Sequence, residues 1–301
     1  MTNSAYHIPV LLHESIEGLS IIPGGTYVDL TFGGGGHAAE ILKRLGANGK
    51  LVAFDKDPGA IRNLADDKRL VWIGEDFRYM KRFLRLQGIR QVDGILADLG
   101  VSSYQIDRAD RGFSTRYDAR LDMRMNPGKR ISAFQVVNDY PQEELARLFR
   151  EYGELKNARR IASEIVEARR NKKIETTAEL MRIIEPALVR RREFKTAAQV
   201  FQAIRIEVND EINALKEMLR QVPDVLKPGG RLCVISYHSL EDRLVKRFIR
   251  NGMFEGEPQR DVYGNYEVPL RKVGKLIVPE PSEIERNNRA RSAKLRIAEK
   301  I

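Results

Sequence analysis

The chain has 301 residues, 42% of them hydrophobic, and its 52 Lys and Arg against 42 Asp and Glu leave a net charge of +10 at pH 7. Such a length suits one large α/β domain or two domains, and no apolar run approaches the ~20 residues that span a bilayer, which argues against a membrane protein. The single cysteine, Cys233, excludes an intrachain disulfide and a cysteine-cluster zinc site. With no basic segment leading into an apolar one in MTNSAYHIPVLLHES, no signal peptide is expected, and the compartment is read as a reducing cytoplasm.

In chain order, the first third alternates strand with helix. Strands are predicted at Thr26–Leu30, Lys50–Asp55, Arg69–Ile73 and Val92–Asp98, with helices at Ala38–Leu45, Pro58–Ala65 and Tyr79–Leu86 between them. That alternation implies a parallel sheet with helices on both faces and a ligand-binding carboxyl edge. After Asp98 the rhythm stops. Residues 106 to about 195 hold helices with clear start signals, Pro141 before QEELARLFREY and a capping box over Thr176–Glu179. A long helix is predicted from about Thr196 to Leu219, with Phe201, Ile204, Val208, Ile212, Leu215 and Leu219 as its buried stripe. It leads through VLKPGG into a strand ending near Tyr237. The expected organisation is an α/β sheet domain of residues 1–105 and 206–301, interrupted by a helical insert of residues 106–205.

The stretch VDLTFGGGGHAAEIL, residues 28–42, places four glycines between the first strand and its helix. Each glycine costs chain entropy, and a ligand lying on bare backbone is the usual reason to accept that cost. Gly33, Gly35 and Ala38 satisfy G-x-G-x-x-A, which suits a dinucleotide or the adenosyl group of S-adenosylmethionine, although a glycine-rich turn without ligand reads the same way. Asp55 ends the next strand, 22 residues after Gly33, where a carboxylate accepts ribose hydroxyls in either cofactor class. No G-K-[ST] follows, so a phosphate-binding P-loop is excluded. Asp98 ends the fourth strand. Methyltransferases acting on exocyclic amines keep a polar acceptor there, because the amine lone pair is delocalised into the ring and must be turned toward the methyl group. Capping of the following turn is the plain alternative for Asp98.

Positive charge collects at Arg159–Arg160, Arg169–Lys173, Arg190–Arg192 and from Arg286 to Lys300. A polyanion is the partner this distribution favours, general solubility the alternative. Arg205 and Asn209, at i and i+4, and the tail residues Asn288, Arg289, Arg291, Lys294 and Arg296 are candidates for touching RNA.

The motifs HIPVLLHES (7–15), DLTFGGGGH (29–37), DGILADLGVSS (93–103), RGFS (111–114), LDMRMN (121–126), FQAIRIEVNDE (201–211), GGRLCVISYHSLEDRLVK (229–246) and NNRARSAKLR (287–296) together resemble the bacterial ribosomal small-subunit methyltransferase H family, also called MraW. The resemblance runs through nearly the whole chain in the family's order. It implies a Rossmann-like methyltransferase fold with a helical insert, S-adenosylmethionine as cofactor, and methylation of the N4 amine of a cytosine at the decoding centre of 16S rRNA in the small ribosomal subunit. Carried over by motif, Gly35, Gly36 and His37 take the methionine part of the cofactor, Asp55 the ribose and Phe77 the adenine. Asp98 and Gln105 complete the pocket, and Asp98 is the catalytic candidate that orients the amine. No metal is implied. Phe77 reads equally as a core residue, and His37 as a helix cap. Leu99-Gly100-Val101 departs from the Pro-Pro-aromatic run of many amine methyltransferases, so no aromatic is assured for stacking the base, Tyr104 included. Cys233, in the strand after the insert, disfavours C5 methylation through a cysteine nucleophile. The rival readings are an NAD-dependent dehydrogenase, which lacks a hydride-transfer candidate, and a non-catalytic RNA-binding assembly protein that keeps the pocket as structure. Monomer and homodimer both stay open.

Overall fold

The computed structural model describes residues 9–102, 105–106, 108–114, 117–258 and 267–301. Tyr104 and the first two residues of the HIPVLLHES motif lie outside them. The chain folds as two compact units, Met1–Gly100 with Ile212–Ile301, and Val101–Glu211.

The first unit is built on a seven-stranded sheet. Its strands are β1 (Thr26–Asp29), β2 (Lys50–Phe54), β3 (Leu70–Ile73), β4 (Val92–Asp98), β5 (Leu226–Ser236), β6 (Leu270–Ile277) and β7 (Lys294–Lys300), in the order β3-β2-β1-β4-β5-β7-β6. β1 to β5 run parallel, and β7 is antiparallel to both β5 and β6. The central strands are buried on both faces, so alternate residues enter different cores. Ile95 and Ala97 of β4, with Leu232 and Val234 of β5, join Met218, Val222 and Phe248 on one face. Leu96, Cys233 and Ile235 join Ile16, Leu19 and Ile41 on the other. The covering helices include α1 (Leu12–Leu19), α2 (Gly36–Arg44) and α3 (Met80–Leu86). The strand order reverses at β1, which pairs with β2 on one side and β4 on the other, and such a switch point opens a crevice at the carboxyl edge.

The second unit is helical: α4 (Ala133–Asp139), α5 (Gln142–Glu151), α6 (Ala158–Asn171), α7 (Thr177–Ile184) and α8 (Glu193–Asn209). Leu145, Phe149, Ile161, Ile165, Val200 and Ile204 meet in its core. The capping box at Thr176 forms, with Glu179 at its third position.

Three expectations from the sequence change. The helix expected over Thr196–Leu219 is two helices, α8 and α9 (Glu211–Val225), parted at Asp210, whose φ of 53° is left-handed. The apolar spacing runs on through this break because one stripe serves two cores: Phe201, Ile204 and Val208 belong to the helical unit, Leu215 and Leu219 to the sheet unit. Pro58–Asn63 is a 3-10 helix rather than an α-helix to Ala65. The basic C-terminal tail is not a free arm. Lys294–Lys300 is β7, an interior strand with Leu295 and Ile297 facing into a core. The remaining helices of the sheet unit are α10 (Ser239–Asn251) and α11 (Pro281–Arg286). No helix among the described residues is long and apolar enough to cross a membrane.

Candidate active site

The glycine loop lies between β1 and α2. Gly35 has φ of 76°, a left-handed value that favours glycine, and a Cβ at Gly36 would stand 2.2 Å from Cγ of Pro9. A Cβ at Gly34 would meet nothing within 4 Å. So Gly35 serves the backbone turn, Gly36 serves close packing, and Gly34 leaves bare backbone facing open space. α2 starts without a side-chain cap and without an acid in its first turn, an arrangement that favours an anionic group at its amino end. The buried His37 sits in that first turn. Its Nε2 is 3.2 Å from the Val10 carbonyl, which places the donated proton there, and its Nδ1 is 3.9 Å from Oδ2 of Asp98.

Three carboxylates gather at the strand ends. Asp55, after β2, accepts the Gly33 N–H through Oδ2 and the Asp57 N–H through Oδ1, each at 2.8 Å, and so holds the glycine loop. Burial pushes its carboxyl up to about 6 against those two hydrogen bonds. Asp98, the last residue of β4, gives its N–H to Thr31 Oγ1 at 2.6 Å and accepts the Tyr237 hydroxyl on Oδ1 at 2.7 Å. Its side chain stays 19% exposed, so the carboxylate is reachable from outside. Burial pushes Asp98 up to about 7; the Tyr237 hydrogen bond opposes this, and the charges of Asp29 and Glu241 add to it. Asp29, ending β1, is also pushed up to about 7, first by burial, with Asp55 adding to the rise. Its Oδ2 has no hydrogen-bond partner among the described residues.

Gly35, Gly36, His37, Asp55 and Asp98 thus surround the carboxyl ends of β1, β2 and β4. Phe77 opens a 3-10 turn after β3, packs against the sheet core and lies 5.9 Å from Lys56 Nζ. Gln105 belongs to the helical unit, where it is buried and its Oε1 accepts the Ser102 N–H at 3.2 Å. Cys233 is wholly buried, and burial pushes its thiol up, which leaves no thiolate for nucleophilic attack.

Two residues of the site were not singled out from the sequence. Asp29 carried the same signal as Asp55 and Asp98, an acid closing an apolar strand. Tyr237 carried none that pointed at Asp98, 139 residues away. Of the RNA candidates, Arg205 forms a two-bond pair with Glu211 at 2.9 and 3.0 Å. Asn209 is fully buried and ties the Met125 N–H and the Met123 carbonyl. Both are structural, because the helix face they share is turned inward at the Asp210 break. Arg296 is paired with Asp242 at 2.7 Å, and Lys294 with the same carboxylate at 3.5 Å.

Residues 4–301 match the model of the MraW methylase family. A ribosomal RNA small subunit methyltransferase H from Flavobacterium johnsoniae is 61% identical over 300 residues, covering 100% of this chain and 99% of its own. Proteins of the same name from Christiangramia forsetii and Bacteroides thetaiotaomicron are 59% and 55% identical, each covering 98% of this chain and 98% and 97% of their own lengths. The match is continuous across both units and includes every motif that builds the strand-end site, so the chain belongs to the MraW methylase family and is a methyltransferase.

Proposed function

We propose that the chain transfers a methyl group from S-adenosylmethionine to the N4 amine of a cytosine at the decoding centre of 16S rRNA, with Asp98 as the group that orients the amine. The observation that carries this reading is the position of Asp98. It closes the central strand beside the switch point, is held through its own N–H and one carboxylate oxygen, and remains partly exposed.

The residues present fit the cofactor. Bare backbone at Gly34 faces open space, the uncapped start of α2 suits the amino-acid carboxylate, and Asp55 keeps acceptor lone pairs for ribose hydroxyls beyond its two backbone bonds. Phe77 offers a ring to the adenine, and Gln105 completes the pocket in this reading. When bound, S-adenosylmethionine supplies an electrophilic methyl group on a sulfonium. Asp98, ionised, accepts a hydrogen bond from N4–H and turns the nitrogen lone pair out of conjugation. The N–C bond forms as the S–C bond breaks, and the extra N4 proton leaves to Asp98 or to water. The helical unit is the part of the chain we assign to substrate recognition.

Incubating the chain with methyl-labelled S-adenosylmethionine and small-subunit rRNA, followed by nucleoside mass spectrometry, tests the assignment. N4-methylcytidine at one decoding-centre position is expected. Label on cytosine C5, on a ribose, or spread over many sites overturns it.

A further inference from the structure

The most exposed large apolar side chain among the described residues lies in the helical unit: Phe194, 91% exposed, in the first turn of α8. It stands within Arg190-Arg191-Arg192-Glu193-Phe194-Lys195, six exposed residues with four cations and one acid, a net +3. Glu193 accepts the Arg191 backbone N–H at 2.8 Å, and none of the four cations enters an ion pair among the described residues. Residues 191 to 195 line a shallow hollow of about 470 Å³. The ring is held outward by the helix itself. Thr196, Ala197 and Val200 are buried, whereas Phe194 and, four residues on, Ala198 lie on the solvent side. Ala198 is too small to cover the ring.

We infer that Phe194 and the cations around it form a docking platform for a single-stranded segment of RNA, an unpaired base stacking on the ring while neighbouring phosphates meet Arg190, Arg191, Arg192 and Lys195. This rests on the rRNA substrate proposed above and names where the helical unit meets it. The chemistry selects the partner. A net positive rim suits a polyanion, and an isolated aromatic face suits a base that is not already stacked, which a duplex does not offer. Val189 is the one other exposed apolar side chain in this stretch, so there is no broad apolar face of the kind an amphipathic membrane anchor presents.

The test uses the full chain and a small-subunit rRNA fragment containing the decoding centre, read by filter binding over a range of salt. Phe194→Ala is expected to weaken binding about tenfold with an unchanged salt slope, and Phe194→Trp to keep it, since stacking needs a π-face. Replacing Arg190, Arg191 and Arg192 by Gln is expected to lower the salt slope by about two to three, one for each lost phosphate contact. The fluorescence of the indole introduced by Phe194→Trp is expected to be quenched by single-stranded RNA and not by duplex. All these positions are exposed, so melting temperature and cofactor affinity are expected to stay at wild-type values. Wild-type affinity in Phe194→Ala overturns the platform, as does equal quenching by duplex, or binding that follows anionic phosphatidylglycerol vesicles in place of RNA. Methyl transfer by the wild-type chain is measured separately, and its absence would count against the proposed activity alone; the platform stands or falls on the binding difference.

Discussion

The Tyr237 hydroxyl donates to Oδ1 of Asp98 across 2.7 Å, joining the end of β4 to the residue that follows β5. The bond fixes one carboxylate oxygen and leaves Oδ2 toward His37 Nδ1, 3.9 Å away. The Tyr237 hydroxyl is itself pushed well above its usual range, by burial first and by the Asp98 charge second, so it stays protonated and remains a donor. Asp29, at the end of β1, and Glu241, in α10, bear on Asp98 in the opposite sense and favour its neutral form.

This geometry predicts a pH profile. Asp98 orients the amine only when ionised, and burial holds its carboxyl up at about 7, so turnover at saturating cofactor and RNA should fall as pH drops through about 7. Tyr237→Phe removes the hydrogen bond that favours the ionised form, and the acidic limb should move up by about one pH unit, with most activity regained at pH 9. Asp98→Ala should cut turnover by about 10²–10³-fold, with Asp98→Asn between it and wild type. A uniform loss across pH in Tyr237→Phe would make the tyrosine structural. Normal turnover in Asp98→Ala at saturation would leave Asp98 a binding residue.

The same burial bears on stability. Asp29 and Asp98 are both raised to about 7 in the folded chain from an ordinary value of 3.8. The folded state therefore binds more protons than the unfolded state between those values. The stability contribution is fully present below about 3.8 and is lost as pH rises through about 7. The cofactor-free chain should melt a few degrees higher at pH 6 than at pH 8. Asp29→Asn, which removes the carboxylate with the unpartnered oxygen, should shrink that difference. Calorimetry at the two pH values checks both, and a melting temperature higher at pH 8 in the wild type contradicts the account.

Much of this was legible in the sequence where local pattern and tertiary role coincide. β4 has the bounds Val92–Asp98 that its apolar run implies, because a strand buried on both faces has no competing signal until an acid stops it. The Asp210 break is invisible, since helical spacing continues unbroken from one core into the next. The Asp98–Tyr237 pair is a long-range contact that no window of sequence contains. The C-terminal strand is the instructive case. KLRIAEK alternates, with Leu295 and Ile297 buried, yet its net positive charge reads first as a phosphate-binding tail. Pairing of Arg296 and Lys294 with Asp242 removes much of that charge from use.

The C-terminal strand therefore changes what a truncation does. β7 is hydrogen-bonded to β5 on one side and β6 on the other. Removing residues 294–301 would strip both partners, expose Leu295 and Ile297, and leave Asp242 without its cations. The truncated chain should lose cooperative unfolding or melt well below wild type in circular dichroism. A normal melting transition with a reduced salt slope for RNA would restore the reading of a free basic arm.

The glycine loop offers a test that separates ligand space from fold. A methyl group at Gly36 would meet Pro9 at 2.2 Å, and relief requires moving the Pro9–Val10 segment that also receives the His37 proton. Gly36→Ala should therefore destabilise the chain, by about 1–3 kcal/mol as for other overpacked sites. At Gly34 a methyl group would meet nothing within 4 Å, and the backbone is outside the left-handed region, so Gly34→Ala should fold with a melting temperature within about a degree or two of wild type. If S-adenosylmethionine lies on this backbone, the same methyl group occupies its space, and affinity by calorimetry should fall at least tenfold. The two glycines are neighbours but one, and their substitutions should thus fail in opposite assays. Gly34→Ala that binds S-adenosylmethionine as tightly as wild type would move the cofactor off the loop and leave its open backbone without a ligand.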